Sequence, residues 1–496
     1  MKNRQLGLKF TRLIFLLLLT PLILNAQQRI TIERALEIAE ESNPQMMTQK
    51  LRLERSQLLL DAQRASLKSQ FSLTMNPLSY SRSRSFDNRL SQWYTNERLN
   101  SQGTFRVVQP ILFTDGEISL VNTFGWQDNK STATGLDNRN RAFTNDLYIR
   151  LSQPLFTYKR RQMELKQLEF DYENAGITYA IQRLTTEQNI TRQFYNVYMA
   201  QENLAISRSE LESSQMNYDI IKGKVDADML AQAELYQAEI NLTTAQSSVE
   251  QGIVTLENAK DQLKQTLGIP LSEEIIIDAE IIVDPVSIDV EEAISYGLSS
   301  RLEIRQREIA ISQQELQMIT VKAQNEFSGN VNMSVGIIGD DERFGNMYQN
   351  PTSNPSIQIS FNIPIFDWGA KRARVRAQQT QQTITKLDYD NQKIDIELDI
   401  RQAWRALENY RAQIVIAEKR VVTAQLTYDI NNVRYRNGEI TGLQNSQYQT
   451  QLSSNKSAHL QSQINYKIQL LNMKILSLYD FDKKIPLVPV RELPKD

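Results

Sequence analysis

The chain has 496 residues, 23% of them charged, with a net charge of −2, one histidine and no cysteine. That balance excludes a basic polyanion-binding surface, so no nucleic-acid partner is expected. Without cysteine there is no disulfide framework, no thiolate metal cage and no lipid anchor on an N-terminal cysteine.

Residues 1–26 read as a secretory signal peptide. Lys2, Arg4, Lys9 and Arg12 precede the apolar run Leu13–Leu24, and Asn25-Ala26 offers a cleavage point before Gln27. An uncleaved anchor is the rival reading, but the run is short for a bilayer-spanning helix. Losing the four basic side chains takes the net charge from −2 to −6. No later stretch holds some twenty continuous apolar residues, so no transmembrane helix is predicted.

Residues 30–71 are predicted helical. A strand region follows over about 71–154. Phe71, Leu73 and Met75 alternate with polar residues, as do Leu147, Ile149 and Leu151 with Tyr148, Arg150 and Ser152. Phe105–Phe113 and Ile118–Phe124 flank the turn Thr114-Asp115-Gly116. Period two sets an apolar face against a polar one. Two proline-free helices come next, over 157–222 and 227–267, roughly 100 Å and 60 Å long at ~1.5 Å per residue. In the second, Leu235, Leu242, Val249, Leu256 and Leu263 recur every seven residues, and Ala238, Ala245, Gly252 and Ala259 follow at the next seam position. This is an a/d seam whose length predicts packing against other chains.

The same order then recurs. A shift of 258 pairs Ile30 with Ile288, Glu33 with Glu291, Ala35 with Ala293 and Leu58 with Leu316. Beyond the strands a shift of 210 pairs Pro154 with Pro364, Phe156 with Phe366, Ile190 with Ile400, Phe194 with Trp404 and Tyr218 with Tyr428. The shifts differ by 48, the excess of the first strand region. The chain therefore divides into a first repeat over 27–284, a second over 285–482 with strands at about 329–364, and an irregular tail over 483–496. In the second repeat Ile357, Ile359 and Phe361 alternate with Gln358, Ser360 and Asn362. One hairpin per repeat gives four strands, too few to close a barrel. Hydrocarbon tolerates no open edge, so a membrane reading requires several chains to share one barrel, with Gln358, Ser360 and Arg150 facing its lumen. Tyr80, Phe86, Trp93, Tyr94, Trp126, Phe143, Phe344, Tyr348, Phe366 and Trp368 cluster near strand ends, as interfacial girdles do. A soluble sandwich gives the same alternation.

No catalytic, cofactor or metal constellation is predicted. His459 shares a heptad stripe with Leu452, Tyr466 and Met473 and reads as a packing residue. No Cys or His pair has metal spacing, and no Gly-rich phosphate loop follows a strand.

Gln153-Pro154-Leu155-Phe156, Ala227-Asp228-Met229-Leu230, Leu263-Lys264-Gln265-Thr266-Leu267-Gly268, Ile363-Pro364-Ile365-Phe366 and Tyr435-Arg436-Asn437-Gly438 occur in this order around the duplication. Together with the signal peptide they resemble the TolC-like outer membrane efflux channels, over roughly residues 28–482. The resemblance implies a mainly α fold with a membrane β-barrel portion. Its unit is a duplicated helix–β-hairpin–helix–helix, assembled as a homotrimer with a periplasmic α-barrel tunnel. The implied partners are a periplasmic membrane-fusion adaptor, an inner-membrane transporter and outer-membrane lipids. The implied role is the passive exit duct of a tripartite system for small molecules, with protein secretion as the alternative. Adaptor-docking tips are expected at Gly223 and Gly438, within Lys222–Ala231 and Tyr435–Leu443. Residues 268–287, with Ile275-Ile276-Ile277 and Ile281-Ile282-Val283 between Pro270 and Pro285, are expected to join the C-terminal tail in a belt.

The resemblance also points to the pore constriction. Positions that are acidic in well-known members are Gln444 and Gln447 here, while Asp228 remains, beside Asp226. Acidic rings favour cations, so loss of two layers weakens that preference. Asp228 also reads as a residue of a helix end, stabilised by the dipole. Asp429, Arg434, Tyr435 and Arg436 surround the second tip as candidate closing contacts. Two readings of other classes stay open: a surface coiled-coil scaffold, and a β-domain binding glycans through Arg82, Arg84, Arg89 and Arg98.

Overall fold

The computed structural model describes residues 28–88, 91–132, 138–279, 281, 283 and 286–487. The expected signal peptide, Arg89, Ile282, Pro285 and the tail beyond 487 lie outside them. The first half runs β1 (Gln28–Ile30), α1 (Ile32–Ser42), α2 (Pro44–Ser66), β2 (Gln70–Asp87), β3 (Gln92–Ile111), β4 (Gly116–Ser131), β5 (Asn138–Leu155), α3 (Arg160–Asp226), α4 (Gln232–Leu267) and β6 (Ile275–Ile277). The second runs α5 (Val290–Ser300), α6 (Leu302–Ala323), β7 (Ser328–Asp341), β8 (Thr352–Ser353), β9 (Ser356–Asn362), α7 (Ala370–Arg436), α8 (Gly442–Ser477), β10 (Tyr479–Asp480) and β11 (Ile485–Pro486). Helix lengths repeat: α1 and α5 have 11 residues, α3 and α7 have 67, and α4 and α8 have 36.

The helix expected over 30–71 is two helices and ends earlier. Asn43 caps α2, its Oδ1 accepting from Met46 N at 2.9 Å, and Pro44 takes the first helical position, where no N–H is needed. The strand then begins at Gln70.

The described residues form two compact units. Among these residues, one draws on 28–48, 180–301 and 396–487, the other on 49–179 and 302–395; α3 and α7 run through both. The first unit is helical. Its core joins Ile30, Ala35, Ile38 and Ala39 to Ile190, Phe194 and Val197 of α3, Leu263 and Leu267 of α4, and Ile275 and Ile277. The shift of 210 repeats this packing: Ile400 and Leu407 of α7 are buried, and Trp404 Nε1 donates to Ile288 O at 3.2 Å. Gly268 ends α4 at φ 79, and a Cβ there would sit 2.1 Å from Ser42 O, so glycine is required.

One expectation needs correction here. The Leu235 seam is largely covered inside the chain. Ala238, Leu242, Ala245, Val249 and Leu263 are buried, and a Cβ on Gly252 would touch Leu204 of α3. A different stripe stays exposed, including Tyr236, Ile240 and Val254 on α4 and Val415, Val422, Leu426 and Ile430 on α7. The linker strand β6 pairs in parallel with β1, and β10 pairs with β11 at the start of the tail.

The second unit holds an antiparallel sheet in the order β2-β3-β4-β5-β7, with β9 and the short β8 both on β7. The 48 extra residues of the first repeat leave room for a second hairpin at Thr114-Asp115-Gly116, and the structure builds it within the same sheet, giving six strands of seven residues or more.

Candidate functional site

Two regions carry functional geometry, and each stands by itself. The first is the pair of helix reversals. After α3, Met229 N donates to Lys224 O at 2.8 Å and Asp228 N to Val225 O at 2.9 Å, with Asp228 left-handed at φ 58. After α7, Glu439 N donates to Arg434 O and Gly438 N to Tyr435 O, both at 2.9 Å, with Gly438 at φ 79. Both are Schellman stops, which satisfy the last helical carbonyls. Gly223, expected at the first tip, lies inside α3 instead, and the chain reverses after it. Asp228, not Gly223, occupies the place that Gly438 has in the second reversal.

The next helices start differently. Thr441 accepts from Gln444 N at 3.3 Å while Gln444 Oε1 accepts from Thr441 N at 3.0 Å, a reciprocal capping box. Ala231, the matching residue, has no side chain to cap α4. The Gln444 oxygen is therefore committed to its own helix end. Gln447 is exposed, and the Oδ1 of buried Asn445 has no hydrogen-bond partner.

Tyr435 is buried and its hydroxyl donates to Asn217 Oδ1 of α3. Burial, with the charge of Glu234, raises its pKa. Ile221 packs beside it, 3.3 Å from where a Cβ on Gly442 would lie. Arg434 pairs with Glu439 at 3.2 Å and reaches Asn431. Asp429 is exposed and accepts from Gln425 at 2.9 Å. Asn217, Glu439 and Thr441 escaped the sequence reading; of these, Thr441-x-x-Gln444 carried a readable capping signature.

The second region is the sheet. Its register sorts the residues onto two faces. Phe71, Val107, Leu120, Ile149 and Val335 lie opposite one another in turn, and Met333 faces Ile357 as Val331 faces Ile359. Most of this apolar face is exposed, Ile359 at 57% and Val335 at 60%. The other face carries Ser72 and Arg106, then Ser119, Arg150 and Ser334, then Gln358 beside Asn332 and Ser360 beside Asn330. Gln358, Ser360 and Arg150 thus share the polar face, with Arg150 over the Tyr148 ring at 4.8 Å. Aromatic groups form two clusters along the strands. Phe156, Phe327 and Phe361 form one cluster, and Phe124, Phe143, Phe344 and Tyr348 another.

Among the described residues no helix is long and apolar enough to cross a membrane, and no group of three His, Cys, Asp or Glu is placed to hold a metal.

The model of the outer membrane efflux protein family matches residues 117–269 and 323–476, more than half of the chain and in two successive segments. The chain belongs to this TolC-like family. The fold agrees. The Campylobacter jejuni CmeC outer membrane channel matches with a TM-score of 0.70 at 17% identity, covering 90% of this chain and 85% of that one. The open-state Neisseria gonorrhoeae MtrE outer membrane channel gives 0.67 at 16%, covering 90% and 88%. The Vibrio cholerae outer membrane protein VceC gives 0.66 at 12%, covering 90% and 96%. No match was found among curated proteins. As a family member, the protein is an outer-membrane efflux channel, a passive conduit.

Proposed function

We propose that the protein is the outer-membrane exit duct of a tripartite export system, working as a homotrimer. The sheet carries this reading. It exposes a broad apolar face, keeps a polar face behind it, and leaves the outer edges of β2 and β9 without a strand partner among the described residues. Hydrocarbon accepts the first and forbids the last, so copies must close the sheet. Outer-membrane lipids then cover Ile149, Val335 and Ile359, and water fills the lumen beside Arg150, Gln358 and Ser360. Small molecules enter from an inner-membrane transporter through a periplasmic adaptor. The adaptor docks on Lys222–Ala231 and Tyr435–Leu443, the segments around the two reversals. Asp228, Asp429, Gln447, Arg434 and Tyr435 surround the constriction, with Gln444 holding the start of α8. The Tyr435–Asn217 bond and the Arg434–Glu439 pair brace the second tip.

Fractionation with native mass measurement tests this. The mature protein is expected in outer membranes, released only by detergent, with the mass of three chains. A soluble periplasmic monomer would overturn the reading.

A further inference from the structure

The register can be followed across the whole sheet. Gln70 lies opposite Val108, Val108 opposite Ser119, Ser119 opposite Arg150, Arg150 opposite Ser334, and Ser334 opposite Ser356. One line across six strands therefore joins the first residue of β2 to the first residue of β9. Successive strands are antiparallel, so β2 and β9 run in opposite directions away from that line. A second copy set level with the first would bring β9 beside residues that precede β2, and no ladder would form. Pairing requires the copy to step along the strand direction.

The size of the step follows from side-chain faces and from β2 itself. An odd step would set apolar residues of one copy beside polar residues of the next, so the step is even. A step of six residues places all of β9 against Gln70–Asn76: Asn362 opposite Gln70, Phe361 opposite Phe71, Ile359 opposite Leu73, Ile357 opposite Met75 and Ser356 opposite Asn76. The match ends where β2 becomes irregular. Its pairing with β3 breaks between Asn76 and Ser79, and Pro77 has no N–H to give a neighbouring strand. A step of eight would set Ile357 against that proline. Six residues at ~3.3 Å over six strands at ~4.8 Å give a strand tilt of roughly 35°, at the edge of the usual barrel range. A step of four would give only about 25°.

The added hairpin is built into this wall. Arg161, at the start of α3, donates to Asp115 O at 2.6 Å and Gly116 O at 2.9 Å and pairs with Glu117 at 3.1 Å. Gln153 of β5 donates to Thr114 O at 2.9 Å. The β3–β4 turn is thus held by its neighbours on the strand and helix that follow. β3 and β4 are also paired along their length on both sides.

We propose that copies join β9 to β2 at this six-residue step, so that three copies of a six-strand sheet enclose a barrel of eighteen strands. The interface is head-to-tail, and an even strand number keeps every junction antiparallel as the ring closes. Barrels of 16–18 strands leave an aqueous channel, whereas about eight strands leave a lumen filled by side chains. The exit is therefore a wide water-filled pore suited to bulky hydrated cargo. The inference rests on the shared-barrel reading above, and its test separates the two.

The cysteine-free chain makes the test clean. Ser72→Cys with Ser360→Cys, oxidised in outer membranes, is expected to give disulfide-linked dimers and trimers on non-reducing gels. Arg82→Cys with Ser360→Cys is expected to give little. Cryo-electron microscopy of the unmodified detergent-solubilised protein is expected to count eighteen strands around the ring. A trimer with twelve strands, or one cross-linking only through Arg82, overturns this inference and leaves the exit-duct reading intact. A monomer whose Ser72–Ser360 disulfide is internal overturns both.

Discussion

The two copies of the repeat reach one helix reversal by different chemistry. Both end a 67-residue helix in a Schellman stop, and both restart a 36-residue helix within six residues. The second copy uses Gly438 at the left-handed position and a capping box from Thr441 to Gln444. The first uses Asp228 and an uncapped Ala231. The backbone hydrogen bonds specify the turn in both; the side chains set how firmly it is held. A left-handed aspartate is tolerated because its short polar chain suits that region, but it costs more than glycine. The first tip is therefore the softer one. In the sheet the copies differ in strand number yet agree in face: Ile149 matches Ile359, and Arg150 matches Ser360, at the shift of 210.

The largest effect is expected in the sheet. An arginine on the lipid face costs about 2–4 kcal/mol near the bilayer midplane, whereas a lumen position tolerates it. Ile149→Arg and Ile359→Arg should each abolish outer-membrane assembly, read as loss of the detergent-extracted trimer. Gln358→Arg should not. Ser360→Arg should also assemble, because the first copy already carries arginine at the matching position. If Ser360→Arg fails as badly as Ile359→Arg, the two copies do not share a face and the register is not that of a barrel.

The next effect separates the reversals. Gly438 has open space where a Cβ would lie, so the penalty there is conformational and not steric crowding. A β-branched residue in the left-handed region costs more than the roughly 1–2 kcal/mol typical of that region. Gly438→Val is expected to leave trimers in the outer membrane and to abolish export. Gly438→Asp should keep export, since it reproduces the first tip. Transport of a fluorescent pump substrate is the readout. Full export by Gly438→Val would remove this tip from adaptor docking.

Much of this was readable from the chain. Alternation placed Gln358, Ser360 and Arg150 on the polar face, and the recurring segments carried the family resemblance. Other features required distant partners. Thr114-Asp115-Gly116 announces a turn, but its place in the sheet depends on Arg161 and Gln153, which no local pattern connects to it. Gly223 suggests a helix stop because glycine usually marks one. The shift of 210 maps Gly438 onto Asp228, so the repeat itself contradicted that choice. The Leu235 seam has coiled-coil spacing, yet spacing cannot tell whether the covering helix belongs to the same chain. α3 supplies it here.

A smaller effect tests the helix starts. Replacing a capping Thr by Ala typically costs about 1 kcal/mol. Thr441→Ala leaves the Gln444 backbone N–H without its Oγ1 acceptor, while Gln444 Oε1 keeps only the N–H of residue 441. The variant should open the second tip more readily, measured as faster proteolytic cleavage near residue 440 in intact trimers. Ala231→Thr should slow cleavage near residue 230, because it adds the missing cap. If Thr441→Ala leaves cleavage unchanged, the capping box does not distinguish the two reversals.

The smallest effect concerns charge at the first tip. Asp228 holds a left-handed turn through its backbone, and Asn adopts that conformation as readily. Asp228→Asn therefore removes a charge without disturbing the Schellman bonds. Acidic rings set cation preference in proportion to the field they create. Gln447 brings no charge to the second tip, and the Gln444 oxygen is occupied by Thr441 N. The substitution should accordingly reduce cation preference only modestly, with single-channel conductance little changed in planar bilayers. A collapse of selectivity would mean that one ring of Asp228 carboxylates dominates the pore, making the softer tip the electrostatic gate.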